Sequence, residues 1–321
     1  MHNKICLVLG AGASHGYGYP LGSGLRKDIL ELCNHKAEEA RTAGVSQQIG
    51  ELKHFGEQFL HSGRGSIDAF LAHRPQFSDI GKRLIAHVLL RSERQRLVLT
   101  PSQDDEDLYG YLVERFCSVP WEEIDLSNLS IVSFNYDRSL EMALLQRLTA
   151  AYGIAEGEVL KKLRSMQILH VYGCLSGNDP WHYDNSILPY GQEPGPQELQ
   201  LVSEYLKVIP DVRHDETVET FAKAQDLLKA ADAIAFLGFA FDERNVERLG
   251  GTTTCSSRVE RPDGVRYRTI LATTLGMTRA EADYARRRTY GDSVPRLNRD
   301  YDYFPARCVE LLRETGLLLE A

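Results

Sequence analysis

The stretch Leu7-Val8-Leu9-Gly10-Ala11-Gly12-Ala13-Ser14 runs from apolar, branched side chains straight into two glycines and a serine. Such a run reads as a strand buried on both faces that ends abruptly in a tight turn. Gly10 and Gly12 let the backbone turn and approach an anion with no Cβ in the way. Ser14 adds a hydroxyl, and a helix beyond the turn would offer free N–H groups. A second run has the same form: an apolar strand over 129–134 stops at Asn135-Tyr136-Asp137. In open α/β sheets ligands bind outside such strand ends. His15 stands where a third glycine would complete a dinucleotide fingerprint, and no acidic residue ends a following strand about twenty positions on. Hydride-transfer chemistry is therefore disfavoured.

Working outward, β-type runs recur at 4–9, 129–134, 167–172, 233–238 and 267–272, with helical patterns at 24–41, 138–150, 217–230 and 278–288. This alternation predicts an α/β fold with a doubly wound, mostly parallel sheet and right-handed crossovers. The interval between the first two strands is too long for one crossover and reads as helices over 45–61, 66–73, 77–97 and 106–117. The expectation is one domain over 1–321 with a helical insertion at about 42–122, packed on one side of the sheet. Residues 176–197, dense in Gly, Pro, Asn and Tyr, read as a loop bordering a cleft. Residues 250–266 read as an exposed excursion.

A formal charge of −8 leaves no electrostatic footprint for nucleic acid. The Arg286-Arg287-Arg288 run reads as a solvated helix face. No apolar run approaches the ~18 residues of a membrane span, and residues 1–9 are too short for a secretory signal. The six cysteines, at 6, 33, 117, 174, 255 and 308, include no C-x-x-C pair. Reduced thiols in a cytoplasmic protein without a metal site are the expectation.

Two motifs carry the chemistry. Asn135 supplies an uncharged amide at a strand end, able to hold a ribose hydroxyl or orient water without quenching a developing cation. Asp137 is placed to contact a ligand or to cap the helix that follows. His170 lies near the carboxyl end of a strand expected to reach Gly173, where a base of near-neutral pKa would work; strand alternation would put Tyr172 on the same face. His182 is the alternative base, and the other histidines read as structural.

Taken together, the chain resembles the sirtuin-like domains of bacterial antiphage systems. The matching pieces are Gly10-Ala11-Gly12-Ala13-Ser14 with Gly18-Tyr19-Pro20, then Ser133-Phe134-Asn135-Tyr136-Asp137, His170-Val171-Tyr172-Gly173, and Gly238-Phe239-Ala240-Phe241-Asp242 with Asn245. Ser66 to Leu71 resembles a helical segment of the defence-associated members. The resemblance implies a Rossmann-like sheet with NAD+ as substrate, hydrolysed to nicotinamide and ADP-ribose in abortive defence. It implies that Asn135 and His170 are catalytic, that Gly10, Ala11, Gly12, Ala13, Ser14 and Asp137 hold the nucleotide, and that Gly238, Phe239 and Asn245 lie toward its adenosine. It further implies a homo-oligomer and a HerA-type ATPase partner. The alternatives are an NAD-dependent deacylase or ADP-ribosyltransferase, or a non-enzymatic NAD or ADP-ribose sensor. Two departures stand out. The paired C-x-x-C zinc module of deacetylating sirtuins is missing, and Tyr172 rather than a histidine precedes Gly173.

Overall fold

A computed structural model describes residues 4–103, 105–116, 119–177, 181, 187–208, 215–255, 258–261, 264–290 and 303–318. Among the described residues eight strands are formed: β1 (Ile5–Leu9), β2 (Leu129–Ser133), β3 (Gln167–His170), β4 (Ala233–Leu237), β5 (Arg258–Arg261), β6 (Gly264–Tyr267), β7 (Thr269–Thr273) and β8 (Tyr303–Phe304). Six of them make one sheet of order β3-β2-β1-β4-β7-β8 in which every pair is parallel. The chain moves outward from β1 to β3, returns to the far side of β1 and moves outward again. That is the doubly wound, Rossmann-like order, with its reversal between β1 and β4.

Alternation along β1 divides the interior in two. Ile5, Leu7 and Leu9 face one core with Leu129, Ile131, Ala235 and Leu237, while Cys6 and Val8 face another with Val132, Ile234 and Phe236. The helices between β1 and β2 all join the first core. There Phe55, Phe59, Phe70 and Phe77 pack ring against ring, with Phe55 edge-on to Phe70 and Phe77 at centroid distances of 5.6 and 5.4 Å. The helices Asp215–Ala230 and Arg279–Tyr290 cover the opposite face through Phe221, Ala224, Leu228 and Ala285.

Three expectations need correction. The helix over 24–41 is two helices, Gly22–Asn34 and Ala37–Thr42. The 250–266 excursion instead contains the short helix Gly251–Thr254 and the antiparallel pair β5–β6. Its local signal was Pro262-Asp263-Gly264 between alternating Val259 and Val265, a turn sequence flanked by strand patterns. The third strand ends at His170, and the following turn carries Tyr172 into the second core, beside Phe134 and Phe221, whereas His170 points to the first. His182 and Cys117 lie outside the described residues. Among the described residues no helix is long and apolar enough to cross a membrane.

Candidate functional site at the reversal of strand order

The register aligns Leu9 with Ser133 on one side and Leu237 on the other, and Ser133 with His170. The loops after β1, β2 and β4 therefore leave the sheet side by side. The first packs backbone to backbone on the loop after β4: Gly10 N–H donates to Leu237 O at 3.0 Å and Gly12 N–H to Gly238 O at 3.1 Å. A Cβ on Gly12 would lie 2.7 Å from Gly238 Cα, and one on Gly10 would collide with the Gly238 carbonyl. These glycines are thus demanded by the contact between two loops, whatever they do for a ligand. Gly238 itself has φ +61°, a conformation that suits glycine.

A cleft of about 1010 Å³ opens above this contact, at the upper end of the range for small-molecule sites. Its floor is Ala11, Gly12 and Ala13 after β1 and Gly238 to Phe241 after β4. Thr273, Leu275 and Met277 follow β7, Tyr284 comes from the helix beyond, and Leu21 to Ser23 bring the start of the helix Gly22–Asn34. Asp105, Glu106 and Arg307 close the remaining side. Glu106 carboxylate oxygens accept from Val309 N–H (2.8 Å) and Glu310 N–H (3.0 Å), capping the helix Cys308–Thr315 from another part of the chain. Phe241, at φ 53°, is the one non-glycine with positive φ among the described residues, and it lines the cleft. Such conformations gather at ligand sites.

The nucleotide-holding residues expected from the sequence divide into two groups. Ala11, Gly12, Ala13, Gly238 and Phe239 line the cleft. Ser14 and Asp137 instead face inward, both buried, with Ser14 Oγ donating to Asp137 Oδ2 at 2.9 Å. Asp137 Oδ1 accepts the Ser139 N–H at 3.1 Å and the Ser139 hydroxyl, so it secures the start of the helix Ser139–Tyr152. Burial pushes its carboxyl above the ordinary value. Asn245 lies behind the cleft, where its Oδ1 accepts from the Tyr172 hydroxyl, which also accepts from Arg248.

Asn135 stands one strand over from the cleft. Its Nδ2 donates to Gly10 O at 3.0 Å and approaches Ser14 Oγ at 3.4 Å, which leaves Oδ1 without a hydrogen bond among the described residues. His170 approaches it from below, through the main chain: Nδ1 is 2.8 Å from Asn135 O and Nε2 is 2.5 Å from Glu141 Oε1. Side-chain exposure is 6% for His170 and 1% for Glu141. Neither ring nitrogen is open toward the cleft, contrary to what a base acting on substrate needs. Burial opposes a charge on the ring, yet Cys174 and Glu141 outweigh it and raise the His170 pKa to about 10. Burial also raises the Cys174 thiol, which stays neutral near pH 7, so Glu141 is the neighbour that keeps the proton on the ring.

The expected convergence of the β1, β2 and β3 tips is displaced toward β4 and β7. Beside Asn135, the Tyr136 hydroxyl donates to Asp68 (2.9 Å) and Lys207 O (3.1 Å) and its carbonyl accepts Leu175 N–H, so the loops that follow β2 and β3 are tied to each other and to Asp68. Thr273 was legible by the strand-tip rule, since it ends β7; its hydroxyl accepts Gly238 N–H at 2.8 Å. Glu141 had no local signal.

An all-parallel sheet that reverses its order beneath a cleft defines a Rossmann-like α/β protein with a cleft at its switch point. Beyond that class, no family model matches the chain and no curated protein shows significant similarity to it.

Proposed function

We propose that the cleft binds NAD+ and that the chain hydrolyses its nicotinamide–ribose bond, releasing nicotinamide and ADP-ribose. The observation that carries this reading is the position of the Asn135 carboxamide, anchored by Nδ2 to Gly10 O, with Oδ1 left open beside the loop that floors the cleft. In this reading the adenosine lies over the β4 and β7 tips, against Phe239, Phe241, Met277 and Tyr284, whose apolar faces suit a base. The pyrophosphate meets the loop after β1 and the start of the helix Gly22–Asn34, which has no side-chain cap. Asn135 Oδ1 then holds a ribose hydroxyl or the attacking water. The transition state is cationic, so a neutral amide orients water without opposing the developing charge. His170 serves as a support for Asn135.

The test mixes purified protein with NAD+ and follows nicotinamide by chromatography, alone and with a HerA-type ATPase, over a range of protein concentrations that reveals self-association. Asn135→Ala should lower release about 10²–10³-fold, the usual cost of one positioned polar group, while the far-UV spectrum stays unchanged and the melting temperature falls by only about 2–4 °C for the lost bond to Gly10 O. Equal rates in the variant and the parent would sink the assignment. A second reading rests on His170 having neither nitrogen open to the cleft. In that reading the chain senses NAD+ or ADP-ribose for a partner, and calorimetry finds binding with no nicotinamide released under any of these conditions. Acceptor-dependent turnover would favour deacylation or ADP-ribosyl transfer. A role in abortive antiphage defence follows from the hydrolase reading, because hydrolysis would drain the cell of NAD+.

A further inference from the structure

Both partners of His170 are hydrogen-bond acceptors. Asn135 O is a main-chain carbonyl with no proton to give, and Glu141 Oε1 belongs to a carboxyl group. A neutral imidazole has one N–H and one lone pair, so it cannot satisfy two acceptors. The ring bridges both only if a second proton is shared between Nε2 and Glu141. The rest of the surroundings favour that proton. Glu141 Oε2 is buried with no hydrogen-bond partner among the described residues, which leaves His170 as the group that compensates this carboxylate most directly. The other titratable groups coupled to the pair are Asp137 and Tyr109, which face Glu141, and Cys174, which faces both; Arg138 acts on Cys174. Asp137 is held by Ser14 and Ser139, and Arg138 is committed to Glu93 through a two-point ion pair at 3.0 Å. Cys174 directs its thiol to Gly177 O.

We infer that Glu141 is a positioning residue: through His170 it fixes the main chain of Asn135, and with it the carboxamide, beside the loop that floors the cleft. The consequence for activity rests on the NAD+ reading above; the proton state of the ring does not. With Glu141 in place the ring is held at both ends, and the carbonyl that follows the β2 tip has one position. Without that carboxylate, His170 reverts to an ordinary imidazole with a lone pair to place, and the bond to Asn135 O competes with other ring orientations.

The experiment has two arms on the full-length chain. In the first, long-range ¹H–¹⁵N spectra of the ligand-free protein, with His170→Gln to assign the signals, report both ring nitrogens. The wild type should show both protonated at pH 7.5 and titrate only above pH 9. Glu141→Gln should lower that titration by at least two pH units, and Glu141→Asp should restore part of it. A wild-type ring that is neutral at pH 7.5, or a titration unmoved by Glu141→Gln, overturns the inference. The wild-type spectrum decides this even if the variant does not fold. In the second arm, nicotinamide release by Glu141→Gln should show kcat reduced at least tenfold with KM within threefold. The alkaline limb of its pH profile should fall to the pH at which the ring titrates. Unchanged kcat in a variant whose ring titration has moved also overturns it. No release by the wild type overturns the NAD+ reading instead, and the ring titration still decides the pairing.

Discussion

Gly10, Gly12 and Gly238 occupy the point where two loops leave neighbouring strands with no room for side chains between them. Each has a packing reason that precedes any ligand. Gly12→Ala should therefore cost about 1–3 kcal/mol through overpacking, and Gly238→Ala more, because it adds the strain of a positive φ. Gly22, with nothing within 4 Å of an added Cβ, is the matched control and should tolerate alanine. Urea midpoints of the three variants check the order. If all three behave alike, the contact between the loops does not limit this site. Asn135 belongs to the same scale. Its backbone N–H takes Ser133 Oγ at 3.2 Å, its carbonyl takes His170 and its Nδ2 takes Gly10, so one free oxygen is presented by a residue held at three other atoms.

Among the elements, the helix Ser139–Tyr152 organises the underside of the site. Just before its first turn Asp137 reaches back to Ser14, Arg138 crosses to Glu93 on the helix Ser78–Gln95, and in its first turn Glu141 rises to His170. Arg138 and Glu93 are 1% and 0% exposed and meet by two parallel hydrogen bonds, with a third from Arg138 to Leu188 O at 2.8 Å. Burial, with a smaller push from Asp137, holds the Glu93 carboxyl above its ordinary value, and Arg138 opposes that. Removing one partner leaves a buried charge. Arg138→Met should thus cost about 3–5 kcal/mol, whereas a double change with Glu93→Met should recover most of it. A double-mutant cycle by chemical denaturation measures the coupling, and additive losses would refute it. At the cleft's rim, Glu106→Ala uncaps the helix Cys308–Thr315 and should cost about 1 kcal/mol.

For the whole molecule, the sign of the pH dependence follows from His170. Its folded pKa stands above the ordinary 6.5, at about 10, so proton binding favours the folded state. That contribution is complete below pH 6.5 and is lost as pH climbs toward 10. The thiols of Cys6, Cys33, Cys255 and Cys308, raised to about 12 chiefly by burial, add a loss only above their ordinary value of 9. Urea midpoints between pH 6.5 and 9 should therefore fall in the parent and stay nearly level in His170→Gln. A parent as flat as the variant would show that the ring carries no extra proton.

What the amino-acid order determined unaided is local. Apolar runs that stop at glycine, serine or asparagine mark strand tips, because a strand buried on both faces and a tight turn each leave a pattern within a few residues. From such patterns the parallel α/β class was legible, as were the run of helices between the first two strands and the loops at 10–14, 135–137 and 238–239 that follow strand ends. Tertiary structure alone decided which tips share a cleft. The register of β4 against β1 and the bond from Tyr136 to Asp68 are contacts between positions far apart in the chain, and no local spacing encodes them. It also decided what His170 touches. A histidine near a strand tip reads as a base until Glu141, drawn in by helix packing, occupies the nitrogen such a base would use.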